Sequence, residues 1–315
     1  MSSISAATVT VPATTANLGP GFDCIGAALS IYNEFKFTRV DANKTAENQP
    51  ILQIYVKGLE ADRVSTDSTN LVYQAFLKFY HHIQQTPPSL SIEINLGVPL
   101  ARGLGSSATA IVAGLVGANA LAGAPLTQTQ IMQLAISMEG HPDNVVPALL
   151  GGCRLAACDT SNPQNWQICE ISWHSDIVPV VAIPNFELST SEARRVLPTE
   201  YSRADSIFNI SHLGLLIRAL ETGTPDWLRV ALQDKIHQPY RQALIPGYET
   251  VSRAAVEAGA YGMTISGAGP TLLALSPHTQ ANAVKQAMTE AWKQCDITPD
   301  VHILQLDGAG ATLSA

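Results

Sequence analysis

Charge is scarce in this chain. Only 14% of its 315 residues are Asp, Glu, Lys or Arg, and none falls between Gly103 and Met138. Acidic residues outnumber basic ones, 26 to 18, and the net charge of −8 excludes a general nucleic-acid binder, which needs a basic face. Any phosphate-binding charge must be local. The five cysteines (Cys24, Cys153, Cys158, Cys169, Cys295) form no Cys-x-x-Cys pair. A disulfide framework is therefore not expected; buried thiols in a reducing cytoplasm are. Met1-Ser2-Ser3-Ile4-Ser5 has no basic segment or apolar run of the signal-peptide kind, so none is expected. The apolar stretch from Ala108 to Ala124 is short, rich in Gly and Ala, interrupted by Asn119 and without basic flanks, which predicts a buried helix rather than a membrane span. Internal repeats and low-complexity tracts are absent too.

What remains is a globular composition, 46% hydrophobic and long enough for two domains with full cores. Thr8 to Pro12, Ile51 to Lys57 and Leu90 to Leu96 read as strands, and Ile25 to Phe37 as a helix or a strand returning to the sheet. Apolar spacing predicts helices over Asn70 to Ile83, from the serines at 106–107 onward, and over Thr127 to Met138. Cys153 to Cys158 reads as a strand, and the turn-rich Asp159 to Gln164 as the boundary between domains 1–160 and 161–315. Beyond it, strands (Val178 to Ile183, Gly262 to Ser266, Thr271 to Leu275, Val301 to Leu306) mix with helices (Ser206 to Thr222, Pro225 to Gln233, Tyr248 to Ala258, Ala281 to Lys293). This mixture, with hairpin-like pairs, predicts an α+β fold rather than a doubly wound sheet.

The most distinctive run is Val98-Pro99-Leu100-Ala101-Arg102-Gly103-Leu104-Gly105-Ser106-Ser107-Ala108, set between a strand and a long helix of small residues. Glycines let backbone N–H groups turn towards a ligand, and helix N-termini favour anions. The run is not a Walker A loop, because no Lys-Ser or Lys-Thr follows the second glycine. It is not a dinucleotide fingerprint either, since no acidic residue stands about 20 positions on to hold a ribose. An ordinary Gly-Ser turn capping a buried helix uses the same residue types.

Four further segments carry unusual residues. In Ala16-Asn17-Leu18-Gly19-Pro20-Gly21-Phe22-Asp23, Asp23 could hold an ammonium or a hydroxyl, or sit solvated on a plain turn. Glu139-Gly140-His141-Pro142-Asp143-Asn144 reads as a dense polar loop whose carboxylates, with phosphate oxygens, could hold Mg²⁺. Three titratable groups beside the apolar run 145–150 are costly to place without a role. Ser189-Thr190-Ser191-Glu192-Ala193-Arg194-Arg195 offers an arginine fork for a carboxylate or phosphate, or a capped helix with a wet face. Gly267-Ala268-Gly269-Pro270 joins two short strands.

Taken together, Pro12 to Leu29, Val98 to Ala108 and Thr264 to Leu272, in that order and spread over nearly the whole chain, resemble the three motifs of the GHMP kinases. The segments at 16–23, 139–145 and 189–194, with His237-Gln238-Pro239-Tyr240-Arg241 and Leu244-Ile245-Pro246-Gly247, resemble the branch of that family that acts on L-homoserine. Thr109 departs from the family pattern, which more often has a second Ala. The resemblance implies a two-domain α+β fold: an N-terminal ATP-binding domain (1–160) like ribosomal protein S5 domain 2, and a ferredoxin-like C-terminal domain (161–315). It implies ATP-dependent phosphorylation of a side-chain hydroxyl in threonine biosynthesis, and a cytoplasmic protein with no nucleic-acid or membrane partner that forms a homodimer. Pro99 and Arg102 would help bind the nucleotide, Gly103, Leu104, Gly105, Ser106 and Ser107 would wrap its phosphates, Asn70 would lie near the adenine, and Ser107 and Glu139 would hold Mg²⁺. Arg194 and Arg241 would clamp the substrate carboxylate and Asp23 its ammonium, with Asn17, His141, Asn144, Thr190 and Gly267 lining the pocket. Asp143, Asn144 and Arg194 would serve catalysis, Asp143 as base or Asn144 as orienting group. Another small-molecule kinase of the family, or a non-catalytic ATP or metabolite sensor, remains open; Ser107, Glu139 and Asp143 argue against a sensor.

Overall fold

The computed structural model describes residues 4–40, 51–159 and 161–314. Strands β1 (Ala6–Ala16) and β2 (Ile25–Arg39) pair antiparallel from Ala6↔Thr38 to Ala16↔Gly26, with a register shift between Pro12 and Ala13. Proline cannot donate to a ladder, and a bulge of this kind re-aims the strand beyond it. β2 accordingly serves two neighbours. β3 (Leu52–Gly58) lies parallel to β4 (Leu90–Leu96), which pairs with residues 34–39 of β2; β5 (Cys153–Asp159) pairs with residues 25–27. The Ile25 segment is thus strand throughout.

β6 (Asn162–Ile171) closes a hairpin on β5, with Asp159 opposite Asn162. The turn expected to part the domains therefore lies inside the first sheet, and the chain leaves that sheet only after Ile171. Turn-forming residues mark a hairpin as readily as a boundary. β7 (Ile177–Ile183), β8 (Gly262–Ile265), β9 (Leu272–Pro277) and β10 (Asp300–Ile303) form a second, antiparallel sheet in the order β10-β7-β9-β8. β10 ends earlier than expected, and Leu306 makes only an isolated bridge to Leu29. β11 (Thr312–Ser314) returns to the first sheet beside β1.

Helices α1 (Leu71–His82), α2 (Ser106–Leu121), α3 (Gln128–Glu139) and α4 (Pro142–Leu150) pack on the first sheet around Phe35, Phe37, Phe76 and Ile92. Beyond its opening serines α2 is almost wholly apolar, and most of its residues are buried. Residues 139–144 are not one polar loop. Glu139 ends α3, Gly140 and His141 form the joint, and Pro142 opens α4, where its missing N–H costs nothing.

The other helices belong to the second sheet: α5 (Thr190–Arg195), α6 (Arg203–Thr222), α7 (Pro225–Ala231), α8 (Gln238–Arg241), α9 (Tyr248–Glu257) and α10 (Ala281–Lys293). α9 and α10 cover one face over Trp292, Met288 and Val251. The opposite face meets β1 and β2 in a core that joins Ala13, Leu18 and Ile25 to Val181, Leu216 and Leu273. Every residue of β7 is buried, as expected of a strand covered on both faces. Among the described residues no helix is long and apolar enough to cross a membrane.

Candidate active site

The phosphate-cradle run enters α2 through Gly105, which caps the helix at φ 68 with no side-chain cap bond. The first-turn N–H groups of this 16-residue helix are therefore left for another acceptor. A second loop, 266–271 between β8 and β9, clasps the cradle. Ser266 Oγ donates to Gly103 O at 2.7 Å and lies within hydrogen-bond distance of Thr15 Oγ1 at 2.9 Å, and Thr271 N donates to Arg102 O at 3.2 Å. Gly103 is needed at this contact: a Cβ there would lie 2.3 Å from Ser266 O, and its φ is +76.

Two carboxylates stand across from the serines. Glu139 Oε1 accepts from Ser107 Oγ at 2.8 Å. Asp143, buried in the first turn of α4, contacts His141 Nδ1 and accepts from Asn144 Nδ2 at 3.3 Å. Asn144 is held in turn by Thr14, whose Oγ1 donates to its Oδ1 at 2.8 Å. Ligand atoms of Asp23, His141 and Asp143 lie within 4.8 Å of one another. Burial opposes the charged form of His141, but the hydrogen bond and charge of Asp143, with the charges of Glu139 and Asp23, outweigh it and raise the imidazole pKa above 6.5.

Beyond them lies a cationic pocket. Arg194, near the end of α5, forms a bidentate pair with Asp23 at 2.8 and 2.9 Å. The carboxylate clamp and the ammonium partner inferred from sequence thus hold each other. Arg241 is 2% exposed; its Nε donates to Ala193 O at 3.1 Å and its Nη1 to Gly267 O at 3.0 Å. Among the described residues it forms no ion pair within 4 Å. Burial first, and then the charge of Arg194, press its pKa down to about 10, which leaves it a cation at neutral pH. Phe22 stacks on His237 and lies under both guanidinium groups, 5.0 Å from Arg241 and 5.6 Å from Arg194. Asn17 braces this end: its Nδ2 donates to Gly267 O at 2.8 Å, and its Oδ1 accepts from Asp23 N at 3.0 Å.

Asn17, Asp23, Gly103, Gly105, Ser106, Ser107, Glu139, His141, Asp143, Asn144, Thr190, Arg194, Arg241 and Gly267 thus line one cleft between the two sheets. An apolar slot walled by Phe35, Val64, Leu71, Val72, Ile94 and Leu96 adjoins it and shares Ser106 and Ser107. Asn70 lines this slot, but its amide caps α1 through Val72 N and holds Ser65 O. Three cradle residues turn elsewhere. Leu104 is buried core, Pro99 lines a different cavity, and Arg102 directs its guanidinium to Glu60, Glu187 and Pro184 O rather than to the cleft. Arg102 joins two carboxylates far off in sequence, both of which also pair with Arg63, and no local pattern reveals this.

Sequence reasoning passed over Thr14, Phe22 and His237. His237 is fully buried, and its Nε2 lies 2.9 Å from Gly19 O and its Nδ1 3.4 Å from Arg241 Nη1. Burial, aided by the charge of Arg241 and opposed by Asp234, lowers its pKa. A neutral ring donating to Gly19 O satisfies these contacts. Its place in the run with Arg241 was the available signal.

The family model described as "GHMP kinases N terminal domain" matches residues 70–152, and "GHMP kinases C terminal" matches residues 216–294. A homoserine kinase from Nostoc punctiforme is 68% identical over 311 residues, covering 99% of each chain. The chain belongs to the GHMP kinases. Another relative of this kinase family, the homoserine kinase of Trichodesmium erythraeum, is 61% identical over the full length of both chains. The crystal structure of homoserine kinase from Cytophaga hutchinsonii superposes with a TM-score of 0.87 at 28% identity, covering 100% of this chain and 99% of that one. The two-domain architecture is that of the GHMP kinases, and its chemistry is ATP-dependent phosphoryl transfer.

Proposed function

We propose that this protein is a homoserine kinase, transferring the γ-phosphoryl group of ATP to the side-chain hydroxyl of L-homoserine. The observation that carries this reading is the joint presence, in one cleft, of an uncapped helix N-terminus, the Arg194–Arg241 cation pair and Asp23. A zwitterion with a nearby hydroxyl meets each of these groups with its complement. The names of the full-length relatives support the same substrate.

In this reading the adenine occupies the apolar slot and the phosphates take the backbone donors of residues 103–107. Arg241, which has no acidic partner among the described residues, receives the substrate carboxylate. Asp23 turns from Arg194 to the ammonium, and Arg194 is released towards the carboxylate. Binding therefore exchanges an internal ion pair for two intermolecular ones. Asp143, oriented by Asn144 and Thr14, accepts the hydroxyl proton as the oxygen–phosphorus bond forms and the bond to the bridging oxygen of ADP breaks. Most of the acceleration comes from positioning and charge stabilisation.

Ser107 and Glu139 fit a divalent cation: both are hard oxygen donors, 2.8 Å apart beside the phosphate donors. Mg²⁺ held there would neutralise charge on the transferring phosphates.

An ADP-release assay with ATP, Mg²⁺ and L-homoserine, L-serine, L-threonine, mevalonate and galactose tests the reading. Turnover confined to L-homoserine is expected. Turnover on another acceptor overturns the substrate, and ATP binding without turnover on any of them favours a sensor.

A further inference from the structure

We propose that Glu187 is a positioning residue that ties the nucleotide cradle to the amino-acid pocket; the inference rests on the two-substrate reading above. Glu187 lies in the link between β7 and α5. Its carboxylate pairs with Arg63, through a close Nη1 contact and Nη2 at 2.9 Å, and with Arg102 Nη1 at 3.1 Å. Arg102 belongs to the cradle, and its side chain is only 9% exposed. It also donates to Pro184 O at 3.2 Å and pairs with Glu60 at 3.2 Å, while Glu60 Oε2 accepts from the cradle amide of Leu100 at 2.8 Å. Cradle and link are thus pinned together by a balanced set of two arginines and two glutamates.

The link runs directly into the substrate side. Two residues after Glu187, Ser189 caps α5; four residues into the helix, Ala193 O receives Arg241 Nε and Arg194 pairs with Asp23. A six-residue helix cannot hold its own position, so these ties set where Arg194 stands. Phosphates seated on residues 103–107 fix the loop that carries Arg102, and Glu187 passes that placement on to α5. Such a coupling acts equally in both directions. The Arg63–Glu187 pair, 40% and 38% exposed, contributes little to stability, and the buried Arg102 keeps Glu60 when Glu187 is neutralised, so the effect of Glu187 falls on coupling rather than on folding.

The test is calorimetric titration of L-homoserine into wild type and Glu187→Gln, with and without a non-hydrolysable ATP analogue and Mg²⁺. The nucleotide is expected to tighten wild-type L-homoserine binding ~5-fold or more, and Glu187→Gln to lose most of that factor while binding each ligand alone within about two-fold of wild type. Glu187→Asp, which retains the charge, is expected to recover part of it. An unchanged coupling factor in Glu187→Gln overturns the proposal, as does a wild type that binds both ligands without coupling. A wild type that binds no L-homoserine under either condition overturns the substrate reading, and the coupling proposal falls with it.

Discussion

At the scale of single residues, the site is a set of charges whose partners are internal until substrate arrives. Arg241 is the exception: it is buried against two carbonyls and an aromatic ring, with no carboxylate partner among the described residues. Replacing one partner of a desolvated charge contact costs about 2–5 kcal/mol, so Arg241→Leu should raise the KM for L-homoserine by at least ~30-fold. The KM for ATP should change little, because Arg241 lies outside the phosphate cradle. Steady-state kinetics with each substrate varied separately checks this; an equal loss for ATP would remove Arg241 from the amino-acid pocket. His141 gives a pH signature. Its pKa is raised by Asp143, Glu139 and Asp23 against the effect of burial, so the folded state holds the proton more tightly than the unfolded chain. That contribution is complete below the ordinary 6.5 and is lost as pH rises through the raised value. The melting-temperature deficit of His141→Asn should therefore be larger near about pH 6 than near about pH 8. A pH-independent deficit would mean that the ring is neutral throughout.

At the scale of elements, short pieces place the chemistry, and they depend on their caps. α5 begins with a reciprocal cap: Ser189 Oγ accepts from Glu192 N, and the Glu192 carboxylate accepts from Ser189 N and Oγ. Glu192 does not line the cleft, so its removal probes α5 rather than substrate contact. Losing such a cap costs about 0.5–1 kcal/mol, and Glu192→Ala should raise the L-homoserine KM about two- to five-fold with less effect on kcat. Glu192→Gln, which can still accept from both donors, should behave like wild type; if both variants match wild type, the cap has no bearing on Arg194. Elements such as α1 and α10 were legible because long amphipathic periodicity is local information. The cradle was legible for the same reason, as a glycine pair followed by serines at a helix start. What sequence could not reveal was pairing at a distance. Asp23 and Arg194 each read as free to meet substrate, yet they are 171 positions apart in the chain and bonded to each other. The family resemblance put Arg102 among the nucleotide-binding residues, but its guanidinium is held by Glu60 and Glu187. The segment at 139–144 read as a loop because its polar residues carry no helical period, although Pro142 is a helix opener.

At the scale of the whole molecule, the two sheets are not independent bodies. The middle core draws Ala13, Leu18, Ile25 and Leu29 from the first sheet and its loops, and Val181, Leu216, Leu220 and Leu273 from the second half of the chain. β11, the last described strand, pairs with β1, so the chain closes on its own beginning. Neither half can unfold without exposing apolar surface of the other, at roughly 25 cal/mol per Å². Differential scanning calorimetry should therefore show one transition, with calorimetric and van't Hoff enthalpies in agreement. ATP at about 100 times its Kd should add ~2.7 kcal/mol and move that transition upward as a unit. The cradle belongs to the first sheet but is clasped by Ser266 and Thr271 of the second, so nucleotide stabilises both. Two resolved transitions, only one of them shifted by ATP, would show that the shared core does not couple the sheets and that the cleft is a joint between separately stable domains.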